Sequence, residues 1–343
     1  MTQTTGSPVF FLQQGIPASF LNPPSLNPAD GQLKPIRVRA IDPHDSDTKI
    51  QQASVGFQRD VAGMVASADF VYTRGTNLAT LVNLNQPLPS TPGANDAKGP
   101  LQYPNFGFVE WRSNNGKSEY KGVDVGLQRR FAHGYSFGIA YTVSDSKDNA
   151  SEQLTTQGSN AFPQNARDFT NWYGPSDYDV RHRFTGNFVV DLPLGHNAFA
   201  RDWVASGVYA ARSGRPFTVN QSNNNVGTSM YGLPDMNGTP SYPRTVDKWF
   251  DTSIFTPVPS GTFGNEIRNQ LRGPRFQSFD LTVQRNIRFG SRYTVTLRVD
   301  SFNLFNKTNF GLPARNISGG DVATITSLSG DARITQLAIR FGF

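Results

Sequence analysis

The chain has no cysteine in its 343 residues, which excludes a disulfide scaffold and any thiolate metal site. It also has no long apolar run. No window approaches the roughly 18 continuous apolar residues of a membrane helix, so any membrane span must be made of strands. Hydrophobic residues are only 37% of the chain, below the usual globular share, which leaves little for a thick core. The net charge is +6, yet Lys and Arg never gather into a block of five. Such scattered cations describe a solvated surface, and no nucleic-acid partner is expected. The first residues are polar, and the short apolar run 9–12 has no basic segment before it, so no signal peptide is expected.

Gly (32), Phe (26) and Pro (23) are plentiful, a mixture suited to thin walls with one apolar face. The final run shows the pattern. Leu337, Ile339, Phe341 and Phe343 alternate with Ala338, Arg340 and Gly342, a period of two that reads as a strand with one apolar side. The chain ends on an aromatic ring, where a soluble domain usually leaves a loose polar terminus. Eight more alternating strands are expected at 50–60, 64–74, 119–131, 135–146, 181–192, 202–212, 278–289 and 292–303, with 202–212 the weakest. Residues 36–41 are a candidate tenth. In 119–131, for example, Val123, Val125, Leu127 and Phe131 oppose Asp124, Gly126, Gln128 and Arg130. Residues 14–35 carry five prolines and cannot hold a ladder. The expected organisation is therefore an irregular lead-in over 1–49, with at most one strand, and a strand-built domain over 50–343.

Most of these strands run longer than the globular mode of about five or six residues, and about nine to eleven tilted residues cross a bilayer. The connectors alternate too. Short turns follow within each pair, and long segments, roughly 75–118, 147–180, 213–277 and 304–331, separate the pairs. An all-β, antiparallel transmembrane β-barrel with short periplasmic turns and long extracellular loops has this alternation. A soluble β-sandwich that binds ligands or partners also alternates along its strands, but repeated loops of this length are anomalous for it.

At the level of motifs the sequence resembles the C-terminal barrel portion of TonB-dependent outer-membrane receptors of the Oar-like group. The resemblance rests on an ordered set: YTRGTNL at 72–78 and NQP at 85–87; EY at 119–120 through RRF at 129–131; YTVS at 141–144; SDYDVRHRF at 176–184 with LPLG at 192–195; SGRPF at 213–217; WF at 249–250 through Phe255; GTFGN at 261–265; LRGP at 271–274; and DLTVQRNIRFGSRYTVTLRVDSFNLFN at 280–306, followed by NFG at 309–311. It implies uptake of a large nutrient such as an oligosaccharide, a peptide or a metal chelate. It also implies outer-membrane lipid and the barrel assembly machinery as partners, the latter reading the terminal aromatics Phe341 and Phe343. Such receptors have a signal peptide, a plug and about 22 strands, none of which this sequence shows in full. The chain is thus expected to lack the plug and the N-terminal barrel portion, to reach TonB only through them, and not to transport alone.

Within that barrel, Arg130, Arg183, Asp191, Asp280, Gln284, Arg298 and Arg340 are expected to face the lumen. Tyr135, Tyr293, Phe289, Phe341 and Phe343, beside the short turns, fit an interfacial aromatic girdle. Chemistry is sparse. The four His (His44, His133, His182, His196) have no metal-ligand spacing, Asp42, Asp45 and Asp47 lack the later Glu of a calcium loop, and no nucleophile elbow is present. Asp179 and His182 with Arg181 and Arg183 are expected as a salt-bridged, lumen-facing cluster. No catalytic residue, metal ligand or cofactor is expected, and the chain is not expected to be an enzyme.

Overall fold

The computed structural model of the chain describes residues 36–104, 106–151, 162–195, 197, 199–222, 226–227, 232–290 and 292–343. The lead-in before residue 36, His196 and the turn residue 291 lie outside them.

Alternation of small or polar with large apolar residues builds nine long antiparallel strands in one open sheet. They are β2 (Lys49–Val61), β3 (Met64–Asn83), β4 (Phe106–Ala132), β5 (Tyr135–Asp148), β7 (His182–Asp191), β8 (Trp203–Arg212), β13 (Phe276–Phe289), β14 (Tyr293–Phe302) and β15 (Ile334–Gly342). Each pairs with the next in chain order, so β2 and β15 form the edges. Two-residue reversals close two of the pairs. Ala62 (φ 55) and Gly63 (φ 74) join β2 to β3, and His133 (φ 55) and Gly134 (φ 83) join β4 to β5. Two left-handed residues in succession are what a twisted hairpin requires.

Strand β1 (Ile36–Ile41) forms where a strand was expected, but it is not a tenth wall strand. It pairs in parallel with the outer part of β4, Ile36 opposite Phe106 and Ile41 opposite Arg112. There it takes the edge left free where β5 ends opposite Ser118. The expected loop 75–118 is shorter than its sequence suggests. The β3–β4 ladder continues outward to Asn83 opposite Glu110, with register shifts around Leu78. At that bend a Cβ on Gly116 would lie 2.4 Å from the Leu78 carbonyl oxygen, so the close approach requires glycine.

Register places all the apolar faces on one side of the sheet. Phe57, Ala68, Val125, Tyr141, Phe184 and Ala211 succeed one another across six strands, and Leu297 lies opposite Ile339. Among the described residues no second layer covers this side: Val125 is 47% exposed, Ile139 40% and Leu297 38%. A largely apolar face of this extent, interrupted by Arg285 opposite Leu297 and Trp203, is costly in water and favourable in hydrocarbon, at about 25 cal/mol per Å². Among the described residues, the one buried apolar side chain within the spanning part of the sheet is Ala205.

The packed core sits instead in the long loops, beyond the strand ends opposite the short turns. Phe217, Val219, Phe250, Phe255, Leu271 and Ala323 form one cluster, with the Phe250 ring centroid 5.5 Å from Phe217 and 6.0 Å from Phe255. Two short ribbons organise it: β9 (Pro216–Phe217) with β12 (Leu271–Arg272), and β10 (Asp235–Met236) with β11 (Phe255–Thr256). The bridge β6 (Gly174–Pro175) extends the end of β5.

Candidate functional site

The side of the sheet opposite the apolar face is polar. One transverse row reads Gly56, Asp69, Asp124, Thr142, Arg183, Arg212, and the hydroxyl of Thr142 donates to Asp124. Below it a groove of about 720 Å³ is lined by Gln58, Ser67, Gln128, Arg130 and Asn187 among others.

The polar residues expected in the lumen all lie on this face, distributed over five strands and not gathered into one pocket. Arg130 borders the groove beside an irregularity in the β4–β5 ladder. Arg183 stands opposite Thr142 and Arg212. Asp191 is the last residue of β7, at the short-turn rim, where its N–H donates to the Gly134 carbonyl at 2.7 Å. Asp280 accepts from the Ser278 hydroxyl at 3.1 Å and the Asn303 N–H at 2.7 Å. Gln284 faces Arg298, whose Nε donates to Asp300 at 2.8 Å, and Arg340 faces Thr296. Phe341, opposite Val295, lies on the opposite, apolar side and is 70% exposed, and Phe343, beyond the last strand residue, is 95% exposed.

The expected cluster of Asp179, Arg181, His182 and Arg183 does not form. Asp179 pairs with Arg272 at 2.6 Å, Arg181 with Asp145 at 2.7 Å, and His182 Nδ1 lies 2.8 Å from the Tyr141 hydroxyl on the apolar side. Strand alternation is the reason: adjacent positions 182 and 183 point to opposite faces. Among the described residues no group of three His, Cys, Asp or Glu could hold a metal ion. Asp42 accepts from the His44 N–H at 2.9 Å, as turn residues do.

Beyond the outer strand ends lies the loop layer, held by buried side chains. Gln86 donates to the carbonyls of Gln164 (2.6 Å) and Val226 (2.5 Å) and accepts from the Ala166 N–H (2.8 Å). Asn85 donates to Tyr103, Phe106 and Gly107. Loops without a ladder must still satisfy their backbone groups, and these amides do it. Arg268 is buried with Asp148 and also reaches Asp177 at 3.2 Å and the Trp172 carbonyl at 3.1 Å. Glu266 is fully buried. Its Oε1 accepts the Val219 N–H at 2.9 Å, Oε2 has no partner among the described residues, and desolvation raises its pKa well above the ordinary 4.5. The only sequence signal for this layer is its density of Asn and Gln within loops, seen in NQP at 85–87 and GTFGN at 261–265.

Residues 1–336 match the outer membrane beta barrel domain. The chain belongs to that family. As a member of the outer membrane beta barrel domain family it is an outer-membrane protein, and its open antiparallel sheet is barrel wall. Among solved structures it is similar to the outer membrane transporter YddB from Escherichia coli, at 11% identity and a TM-score of 0.47, covering 89% of this chain and 34% of that one. It is similar also to the FrpB iron transporter from Neisseria meningitidis, at 12% identity and 0.43, covering 88% and 32%. A third is the pyoverdine outer membrane receptor FpvA from Pseudomonas aeruginosa PAO1, at 11% and 0.40, covering 86% and 30%. The chain thus spans about a third of the length of these proteins. No curated protein matches it.

Proposed function

We propose that the chain is the C-terminal barrel wall of a TonB-dependent receptor of the Oar-like group, taking up a large nutrient across the outer membrane. The observation that carries this is the division of labour in the fold. One face is mainly apolar, interrupted by charged residues such as Arg285 opposite Leu297, the other is polar, and a packed loop layer crowns the end opposite the short turns. Conducting water-soluble cargo past lipid requires a polar inner face, and capture of a large ligand requires a shaped outer surface, which loops provide. The ordered motifs, from YTRGTNL to the 280–306 run, support the receptor assignment.

In this reading residues 50–343 are barrel wall and residues 1–49 a lead-in to it. Arg130, Arg183, Asp191, Asp280, Gln284, Arg298 and Arg340 line the lumen, and the Phe341 and Phe343 rings are presented to the barrel assembly machinery. The open edges β2 and β15 pair with the remainder of a larger barrel, and energised transport needs a plug that contacts TonB, so the chain alone does not transport.

The absence of cysteine makes the orientation directly testable. Asp247→Cys, in the loop between β8 and β13, is expected to react with a membrane-impermeant maleimide on intact cells. Phe199→Cys, 82% exposed in the β7–β8 turn, is expected to react only after lysis. Labelling of both on intact cells, or of neither, would overturn the orientation.

A further inference from the structure

On the apolar side, where the outer ends of β5, β7, β8 and β13 meet the overhanging loop layer, lies a recess of about 480 Å³. Its inner wall is membrane face: Tyr141, Phe184 and Tyr209 belong to the apolar rows set by the ladder register. Its roof is made by Tyr242 and Trp249 from the loop layer. Both roof residues are fixed by polar contacts to one neighbour. The Trp249 Nε1 donates to the Arg272 carbonyl at 2.9 Å, and the Tyr242 hydroxyl accepts the Arg272 N–H at 3.0 Å. The recess is therefore a shaped part of the fold, walled by aromatic rings on two sides.

Its rim is cationic. Arg272 is neutralised by Asp179, whereas Arg244 and Arg275 are exposed and have no acidic partner among the described residues. Unpaired guanidinium groups at the level where aromatic rings meet water complement an anion. The side of the wall decides which anion. A soluble nutrient would meet the polar face, but the strand residues of this recess lie mainly on the face that touches hydrocarbon: Tyr141, His182, Phe184, Tyr209 and Ala211, with Arg212 and Phe276 of the polar side at its edge.

We propose that the recess binds a phosphate-bearing lipid headgroup of the outer leaflet, its phosphate on Arg244 and Arg275 and the upper part of its acyl chain against Phe184 and Tyr209. The inference uses the outer-membrane placement of the chain but not the receptor assignment, so either could fail without the other. A bound lipid here would pin the loop layer to the membrane surface at β7 and β8.

Native mass spectrometry of the full chain in neutral maltoside micelles tests it, with dioleoylphosphatidic acid and dioleoylphosphatidylcholine as probes. Phosphatidic acid is expected to stay bound and phosphatidylcholine to be lost. With each basic residue contributing about fivefold near a lipid surface, the double variant Arg244→Gln/Arg275→Gln is expected to weaken retention by about 25-fold. The Arg244→Lys/Arg275→Lys variant keeps the charge and is expected to keep the lipid. Equal retention of both lipids, equal retention by the Gln variant, or displacement of the lipid by inorganic phosphate would overturn the proposal. Inorganic phosphate would then mark a simple ion site. Heat-modifiable gel migration confirms that each variant is folded. If the double variant is not, the single variants Arg244→Gln and Arg275→Gln are read in its place, with about fivefold weakening expected of each.

Discussion

The guanidinium of Arg268, in the loop before β12, is ion-paired with the carboxylate of Asp148 at the outer end of β5, with both side chains 2% exposed. The same Arg268 donates to the Asp148 carbonyl at 2.7 Å and the Trp172 carbonyl at 3.1 Å, so one side chain ties the 257–270 loop to the wall. Removing Arg268 leaves the Asp148 carboxylate buried without a cation, which costs about 3–5 kcal/mol, whereas removing Asp148 leaves Arg268 its second carboxylate, Asp177 at 3.2 Å. Arg268→Ala is expected to loosen the loop layer by about that much and Asp148→Ala by less, while the strands stay folded in micelles. Limited proteolysis, read as cleavage in the 226–270 region, measures it. Arg298 and Asp300 offer the contrast. Their contact is also short, at 2.8 Å, but the Arg298 side chain is 47% exposed. Arg298→Gln is expected to cost less than about 1 kcal/mol in the same assay.

Glu266 gives the loop layer a pH dependence. Its folded-state pKa is raised by desolvation above 4.5, so the folded protein holds a proton that the unfolded chain releases. Stability is then greatest below the unfolded pKa. It falls as pH rises toward the folded value, by up to about 1.4 kcal/mol per pH unit. Glu266→Gln keeps a carbonyl acceptor for the Val219 N–H and removes the titration. It is expected to flatten the profile and to strengthen the layer at neutral pH. Hydrogen exchange at the Val219 amide, corrected for intrinsic rate, reports the change. An unaltered slope in the variant would mean another group titrates.

The faces of the wall can be distinguished one residue apart. Ile139 lies on the apolar side, opposite Leu127, and Ala140 on the polar side, opposite Gly126. A lysine facing the hydrocarbon midplane costs about 2–4 kcal/mol, and one facing the lumen costs little. Ile139→Lys is therefore expected to lower the stability of the micelle-bound protein by that amount and Ala140→Lys by less than half of it. Urea titration in detergent compares them. Equal losses would show that both sides face the same medium.

How much of this was legible depended on how local the signal was. The wall strands were readable because period two is written in ten adjacent residues; Ser136 to Val143 alternate without a break, and β5 spans them. The outer halves of β3 and β4 were not readable. Leu78, Ala79, Thr80, Leu81 and Val82 do not alternate, and their pairing with residues 111–116 depends on partners 29 to 38 positions away. Arg268 and Glu266 were equally invisible, because a single charge in a polar loop reads as solvated. Their burial exists only once segments near residues 148, 172, 219 and 266 meet. The short motifs NQP and GTFGN marked the right loops without revealing that their amides stand in for a ladder.

The terminal ring separates folding from assembly. Strand β15 ends at Gly342, and Phe343 beyond it is 95% exposed, so the ring adds almost nothing to the packing of the sheet. Phe341, by contrast, lies opposite Val295 within the ladder. An exposed substitution without such contacts changes stability by no more than about 0.5 kcal/mol. Phe343→Ser is thus expected to refold into micelles with an unchanged urea midpoint. If the ring is the feature read during assembly, the same variant accumulates poorly in the outer membrane of cells. The ratio of membrane-inserted to total protein, compared with the micelle midpoint, separates the two roles. A variant that inserts normally would remove Phe343 from assembly, and one that loses stability in micelles would give the ring a packing role instead.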